Sequence, residues 1–262
     1  MIPRRLALLG GLAGCAGSGT AQTAGELALS NSPALASHRV GGADNPDLIV
    51  RWNNPPGPGA ALDAVLHFHG FAADARGMDL RQAMGGSGLD LAPVPEARAS
   101  GPLLTRPTLA LLPRGRPRGV SGGAFDWPAL AAPGGLASVL GAGYAAYASA
   151  IGRGGFSRGR LTLTAHSGGG GGLLATLDRA MQEGMRVDRV IAYDALYRDP
   201  ATLIRWARAT QGASLVVVFG PGTNERNARA VANGFPAARL IASQVGHGEQ
   251  PRFYGWRLLA EG

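Results

Sequence analysis

A serine between a strand and a helix, with five glycines behind it, offers the most chemistry in this sequence. The stretch is LTLTAHSGGGGGLLATL, Leu161 to Leu177, in which Ser167 is followed by Gly168 to Gly172. Leucine alternates with β-branched threonine from Leu161 to Thr164, which predicts a strand, and Leu173 to Leu177 read as the first apolar turns of a helix. Glycine inside a helix costs about 1 kcal/mol relative to alanine. Such a run therefore needs a local reason, either a strained turn or a close backbone approach. A serine presented on a strained turn suits acyl transfer, provided that a base, an orienting acid and oxyanion donors converge on it. Histidines at positions 67, 69 and 247 and carboxylates at Asp194, Glu225 and Glu249 are available for those parts. A glycine-rich turn with an incidental serine is the plainer alternative. A phosphate-binding loop is a poorer one, because no lysine follows the glycines or occurs anywhere in the chain.

The elements that must position these residues alternate along the chain. Strands are predicted at Leu48 to Trp52, Ala64 to Phe68, Thr108 to Leu112, Leu161 to Ala165, Arg189 to Tyr193, Ser214 to Phe219 and Arg239 to Ser243. Helices are predicted at Asp74 to Met84, Ser138 to Ile151, from the glycine run to about Glu183, and at Pro200 to Thr210, Glu225 to Asn233 and Pro251 to Leu259. Between the first two strands, NNPPGPGA (Asn53 to Ala60) reads as a turn or loop. Gly85 to Arg106 carries no clear periodicity and is expected to be a cap or a wandering loop. Strands separated by helices predict an α/β fold with a mostly parallel sheet covered on both faces.

Several segments resemble the α/β-hydrolase family. Ala165 to Gly169, A-H-S-G-G, is similar to its nucleophile elbow G-x-S-x-G, departing by one methyl group at the first small position. HFHGF, His67 to Phe71, resembles the HG segment that follows the third core strand of the family. With DALY at Asp194 to Tyr197 and the loop from His247 to Pro251, the likeness extends to a poorly characterised bacterial group of hydrolase-like proteins. It covers about Asp47 to Leu259 and implies an α/β-hydrolase-like three-layer sandwich with a mostly parallel central sheet. It also implies roles. Ser167 would be the nucleophile and His247, the histidine that follows the elbow, the base, while backbone N–H groups of Phe71 or Gly70 and of Gly168 would form the oxyanion hole. His67 and His69 would be walls of the site.

The acid is contested. Asp194 ends the strand VIAYD, where a buried carboxylate needs hydrogen-bond partners; some hydrolases of this class carry the acid there. Its competing reading is a structural aspartate binding the N–H groups of Ala195 and Leu196. Glu225 follows the strand SLVVVF, the commoner place for the acid in this fold, and is the alternative. Glu249 stands two residues from His247, an awkward distance for orienting it. No metal and no cofactor is required.

The amino terminus points to a compartment. MIPRRLALLGGLAGCAG begins with Arg4 and Arg5, continues apolar and ends in the only cysteine, Cys15. The apolar run is too short to span a membrane and reads as a secretion signal. Leu12 to Cys15 resembles the lipobox of bacterial lipoproteins, which implies cleavage before Cys15 and lipid on its thiol; a plain signal cut near Ala21 or Ala24 is the alternative. The expected organisation is a signal peptide at 1–14, a flexible tether at 15–45 and a hydrolase domain at 46–262. The chain of 262 residues is 45% hydrophobic, which excludes wholesale disorder. Its formal charge of +8 comes from arginines spread along the chain, so a nucleic-acid partner is not expected. The sequence thus predicts a serine hydrolase of the bacterial cell envelope, lipid-anchored and facing the periplasm or exterior. Its expected partners are a small-molecule or envelope ester and the membrane. An amidase or peptidase of the same fold, or a non-enzymatic envelope lipoprotein binding an anionic polymer, are the alternatives.

Overall fold

The alternation around Leu161 extends further on both sides in the computed structural model, from Ser157 to His166, and this strand (β7) lies inside an eight-stranded sheet. The structure describes residues 24–38, 46–53, 55–57, 59–70, 104–118, 124–152 and 154–261. The other sheet strands are β1 (Gly25–Leu29), β2 (Leu48–Trp52), β3 (Ala61–Phe68), β4 (Thr108–Pro113), β8 (Arg189–Tyr193), β9 (Ser214–Phe219) and β10 (Arg239–Ala242). They are ordered β1-β2-β4-β3-β7-β8-β9-β10. Both contacts of β2 are antiparallel and every other pairing is parallel. A two-stranded hairpin, β5 (Arg116–Arg118) and β6 (Ala124–Asp126), stands apart from this sheet.

Both faces of the sheet are apolar, so its strands carry hydrophobic residues at consecutive positions. In β9, Leu215 and Val217 point to one core and Val216 and Val218 to the other; β4 and β8 divide in the same way. The first core is covered by α1 (Pro128–Ala131), α2 (Gly135–Ala150), α3 (Gly170–Gln182), α4 (Ala201–Ala209) and α5 (Thr223–Gly234). The second packs against α6 (Gln250–Ala260) through Tyr254, Leu258 and Leu259. This is a three-layer α/β sandwich with the topology of the α/β-hydrolase fold. From β3 the chain moves outward to β4 and then crosses back to β7 on the other side. That reversal opens a crevice at the carboxyl ends of the strands.

The expected tether needs correction over residues 24–38. Residues 25–29 form β1, paired with β2 from Gly25↔Trp52 to Leu29↔Leu48, and Pro33–His38 form a short 3₁₀ helix that buries Leu35 completely. Leu27 and Leu29 pack on the first core, and Glu26 pairs with Arg51 of β2. The folded domain therefore includes the chain from Gly25 on, well before residue 46. The remainder of the tether, the signal segment with Cys15, the helix predicted at Asp74 to Met84 and most of Gly85 to Arg106 lie outside the described residues.

Candidate active site

Ser167 opens a single 3₁₀ turn, Ser167–Gly169, between β7 and α3. Its φ is +51°, a left-handed conformation that costs an L-residue about 1–2 kcal/mol. The glycines behind it answer to close approach. A Cβ at Gly169 would lie 2.3 Å from the carbonyl oxygen of Phe68, one at Gly170 1.8 Å from that of Ala195, and one at Gly172 2.3 Å from the Trp127 ring. The elbow is thus wedged between the end of β3, the loop after β8 and the aromatic residue that precedes α1. Ala165 is fully buried and pairs with Phe68 and Ala192, so its methyl group is accommodated.

Three of the predicted residues meet. The Ser167 hydroxyl lies 2.9 Å from Nε2 of His247, and Nδ1 of the same ring lies 2.6 Å from Oδ2 of Asp194. The other carboxylate oxygen of Asp194 accepts from the Gly220 N–H at 2.9 Å. Burial works to raise the Asp194 carboxyl, but the hydrogen bonds from His247 and Gly220 outweigh it and hold the group below its ordinary value. The Asp194 side chain is only 9% exposed whereas that of His247 is 43% exposed. The carboxylate is shielded, and the imidazole faces the open side of the site.

Asp194 does not bind the turn that follows it. The Leu196 N–H donates to Asn224 instead, at 2.6 Å. Glu225 sits on α5, paired with Arg229 one turn on at 2.7 Å, and Glu249 belongs to the short 3₁₀ helix His247–Glu249. Neither partners His247, whose Nδ1 is taken by Asp194.

His67 and His69 are buried. His67 shares a 2.7 Å hydrogen bond with the Thr164 hydroxyl. His69 accepts the Gly115 N–H at Nε2 over 2.9 Å, which places its proton on Nδ1, facing the Gly70 carbonyl oxygen at 2.8 Å. Burial lowers its pKa to about 4. The Gly70 peptide is thereby fixed beside the elbow, since the His69 carbonyl also lies against Gly169. Gly168 follows Ser167 directly and is exposed; Phe71 lies outside the described residues.

One contributor has no precedent in the sequence reading. His166, beside the serine, donates from Nε2 to the main-chain oxygen of His247 at 2.9 Å, and the two rings lie 4.7 Å apart. Burial, with the neighbouring His247 ring adding to it, lowers the His166 pKa to about 4 and keeps it neutral. It pins the backbone of the residue whose side chain reaches Ser167. Tyr197, half exposed, sets its ring edge-on to His247 at 6.5 Å.

No protein-family model matches this sequence, and no curated protein does. Solved structures do show likeness. Enterochelin esterase from Shigella flexneri shares 14% identity at a TM-score of 0.47, over 90% of this chain and 58% of its own. A predicted CIB-like hydrolase from Thermoplasma acidophilum shares 16% at 0.41, over 82% of this chain and 91% of its own. Acylaminoacyl peptidase from Pyrococcus horikoshii shares 13% at 0.41, over 92% and 41%. This chain thus spans little more than half of the first of these and less than half of the last.

Proposed function

We propose that the protein is a serine hydrolase that cleaves a carboxylic ester through an acyl-enzyme. The observation that carries this reading is the unbroken chain from the Ser167 hydroxyl through His247 to Asp194, with contacts of 2.9 and 2.6 Å. Ser167 Oγ attacks the ester carbonyl carbon while its proton passes to His247 Nε2. Asp194 receives the Nδ1–H hydrogen bond and stabilises the imidazolium. The Gly168 N–H, with that of Gly70 or Phe71, holds the oxyanion. His69 supports this arrangement by fixing the Gly70 carbonyl, which belongs to the same peptide as the Phe71 N–H. As the tetrahedral species collapses, the imidazolium proton goes to the departing alkoxide. Water, deprotonated by the same imidazole, then releases the acid and restores Ser167.

A fluorophosphonate probe tests the assignment. Labelling is expected in the folded wild type and absent from Ser167→Ala, together with ester hydrolysis; equal labelling of the two proteins would refute it.

We propose separately, on the strength of the LAGC sequence alone, that the protein resides in the bacterial cell envelope, with Cys15 as the lipid-bearing first residue of the mature chain. A single acyl chain anchors only marginally, so Cys15 carries more than one. Metabolic fatty-acid labelling that survives Cys15→Ser would disprove this.

A further inference from the structure

A cavity of about 370 Å³ opens between the β5–β6 hairpin and the start of α3, one helical turn beyond Ser167. Gly171, four residues after the serine, forms part of its wall, which corresponds to roughly 6 Å along a helix. Phe125 and Trp127 supply an apolar lining, and both are themselves well buried. Two arginines complete it, and they are not equivalent. Arg116 forks onto Asp126 with contacts of 3.0 and 2.9 Å, so that its charge is met. Arg198 forms no ion pair and no side-chain hydrogen bond among the described residues. Its guanidinium nevertheless lies across Gly171, close enough that a Cβ there would sit 3.6 Å from both Cζ and Nε.

That placement calls for a partner. An exposed arginine retains rotamer entropy and full hydration if it extends into water. Arg198 is exposed, but its guanidinium lies along the cavity wall beside Gly171, at the amino end of α3, where the peptide dipoles oppose a positive charge. With Arg116 cancelled by Asp126, the cavity holds one unmatched positive charge. The loop that carries Arg198 also carries Asp194 and Tyr197, and Tyr197 faces His247. A single segment therefore carries Asp194, the ring beside His247, and a cation beside Gly171, four residues on from Ser167.

We infer that Arg198 binds an anionic group of the substrate, so that the preferred ester carries a carboxylate or phosphate within about one helical turn of the scissile carbonyl. The cavity has the volume of about a dozen waters, which suits a short charged arm. The aromatic wall accepts the methylenes of the arm and the guanidinium its charged end, in the two-pronged manner suited to planar oxyanions. The specificity part of this inference rests on the hydrolase reading of Ser167, whereas the anion site itself does not.

The experiment has two arms. In the first, kcat/KM is measured for 4-nitrophenyl butyrate and for 4-nitrophenyl hemisuccinate, its carboxylate-bearing counterpart, with wild type, Arg198→Gln and Arg198→Lys. Wild type is expected to favour the hemisuccinate by tenfold or more, mainly through KM and less so at high salt. Arg198→Gln should lose that preference and Arg198→Lys keep part of it. A wild type that favours the neutral ester, or a preference that survives Arg198→Gln, overturns the inference. In the second arm, calorimetry with succinate and with inorganic phosphate reads binding without turnover, and the stronger ligand identifies the anion. Heat of binding that is lost in Arg198→Gln upholds the site even if neither ester is cleaved, an outcome that would instead sink the hydrolase reading. No binding of either anion to wild type overturns the site, whatever Ser167 does.

Discussion

At Asp194 two hydrogen bonds prevail over burial, one from the His247 ring and one from the Gly220 N–H. An amide in its place has one acceptor oxygen for two donors; with that oxygen held by the Gly220 N–H, its N–H₂ faces the imidazole, which is left without its orienting acceptor. Asp194→Asn should therefore lower turnover by about 10⁴, as the comparable change does in a serine protease triad, with the circular-dichroism spectrum retained. Glu225→Gln, which breaks only a surface pair with Arg229, should cost less than tenfold; the opposite ranking would transfer the acid's role to Glu225. The buried rings of His69 and His166 make a second prediction. Both stay neutral in the fold down to about pH 4, whereas in the unfolded chain they take up protons near 6.5. Between those values the unfolded state binds more protons, so stability is complete above pH 6.5 and falls as the pH falls. At pH 5 the loss is about 2 kcal/mol per ring. Urea unfolding at pH 7.5 and 5 should record it, and His69→Gln should show a smaller pH difference; identical pH differences in the two proteins would refute it. Ser167, His247 and Asp194 were legible in the sequence because each ends or follows a strand with a clear pattern. His166 was not. Its partner is a main-chain oxygen 81 residues away, which no pattern of side chains announces.

The elements divide in the same way. The continuous apolar runs of β8 and β9 left their limits plain, at Arg189 to Tyr193 and Ser214 to Phe219. The five-residue β1 is hard to see in the sequence because it stands at the sheet edge, where Glu26 is exposed, the other four residues are only partly buried, and Leu27 and Leu29 are the only large apolar residues. The β5–β6 hairpin was hidden by its three-residue strands and by the prolines and glycines around them. The glycine run was conspicuous as a composition, but its separate roles needed coordinates, and they lead to substitutions of opposite sign. Gly170→Ala drives a methyl group into the Ala195 carbonyl and should destabilise by about 1–3 kcal/mol despite the better helix propensity. Gly171→Ala meets only the Arg198 side chain at 3.6 Å and should stabilise by up to about 1 kcal/mol. Thermal unfolding of the two variants checks this; shifts of the same sign would show that the α3 start is packed differently.

For the molecule as a whole, the segment before β2 belongs to the fold. A chain beginning at Ala24 should unfold at the same denaturant concentration as the full chain. One beginning at Pro46 loses the fully buried Leu35, worth about 2–5 kcal/mol by analogy with core truncations, and leaves β2 as an unpaired edge prone to association. Denaturation and light scattering distinguish the two, and equal stability would return residues 24–38 to the status of a tether. Gly25 lies ten residues beyond Cys15, a length that spans at most about 35 Å when extended. A lipid on Cys15 would thus confine the site to a thin layer above the bilayer, where soluble and surface-bound esters compete for it. Among the described residues only Asn31, Ser167 and Asp194 depart from glycine at positive φ, and two of these three form the hydrogen-bonded chain with His247. The fold by itself favours glycine at such positions. Ser167→Gly should relieve the strain, with the gain partly offset by glycine's greater freedom in the unfolded chain. A lineage released from the need to turn over substrate would therefore drift towards glycine at the elbow, becoming sturdier as it falls silent. A serine retained there across distant descendants would record that selection has kept acting on the reaction.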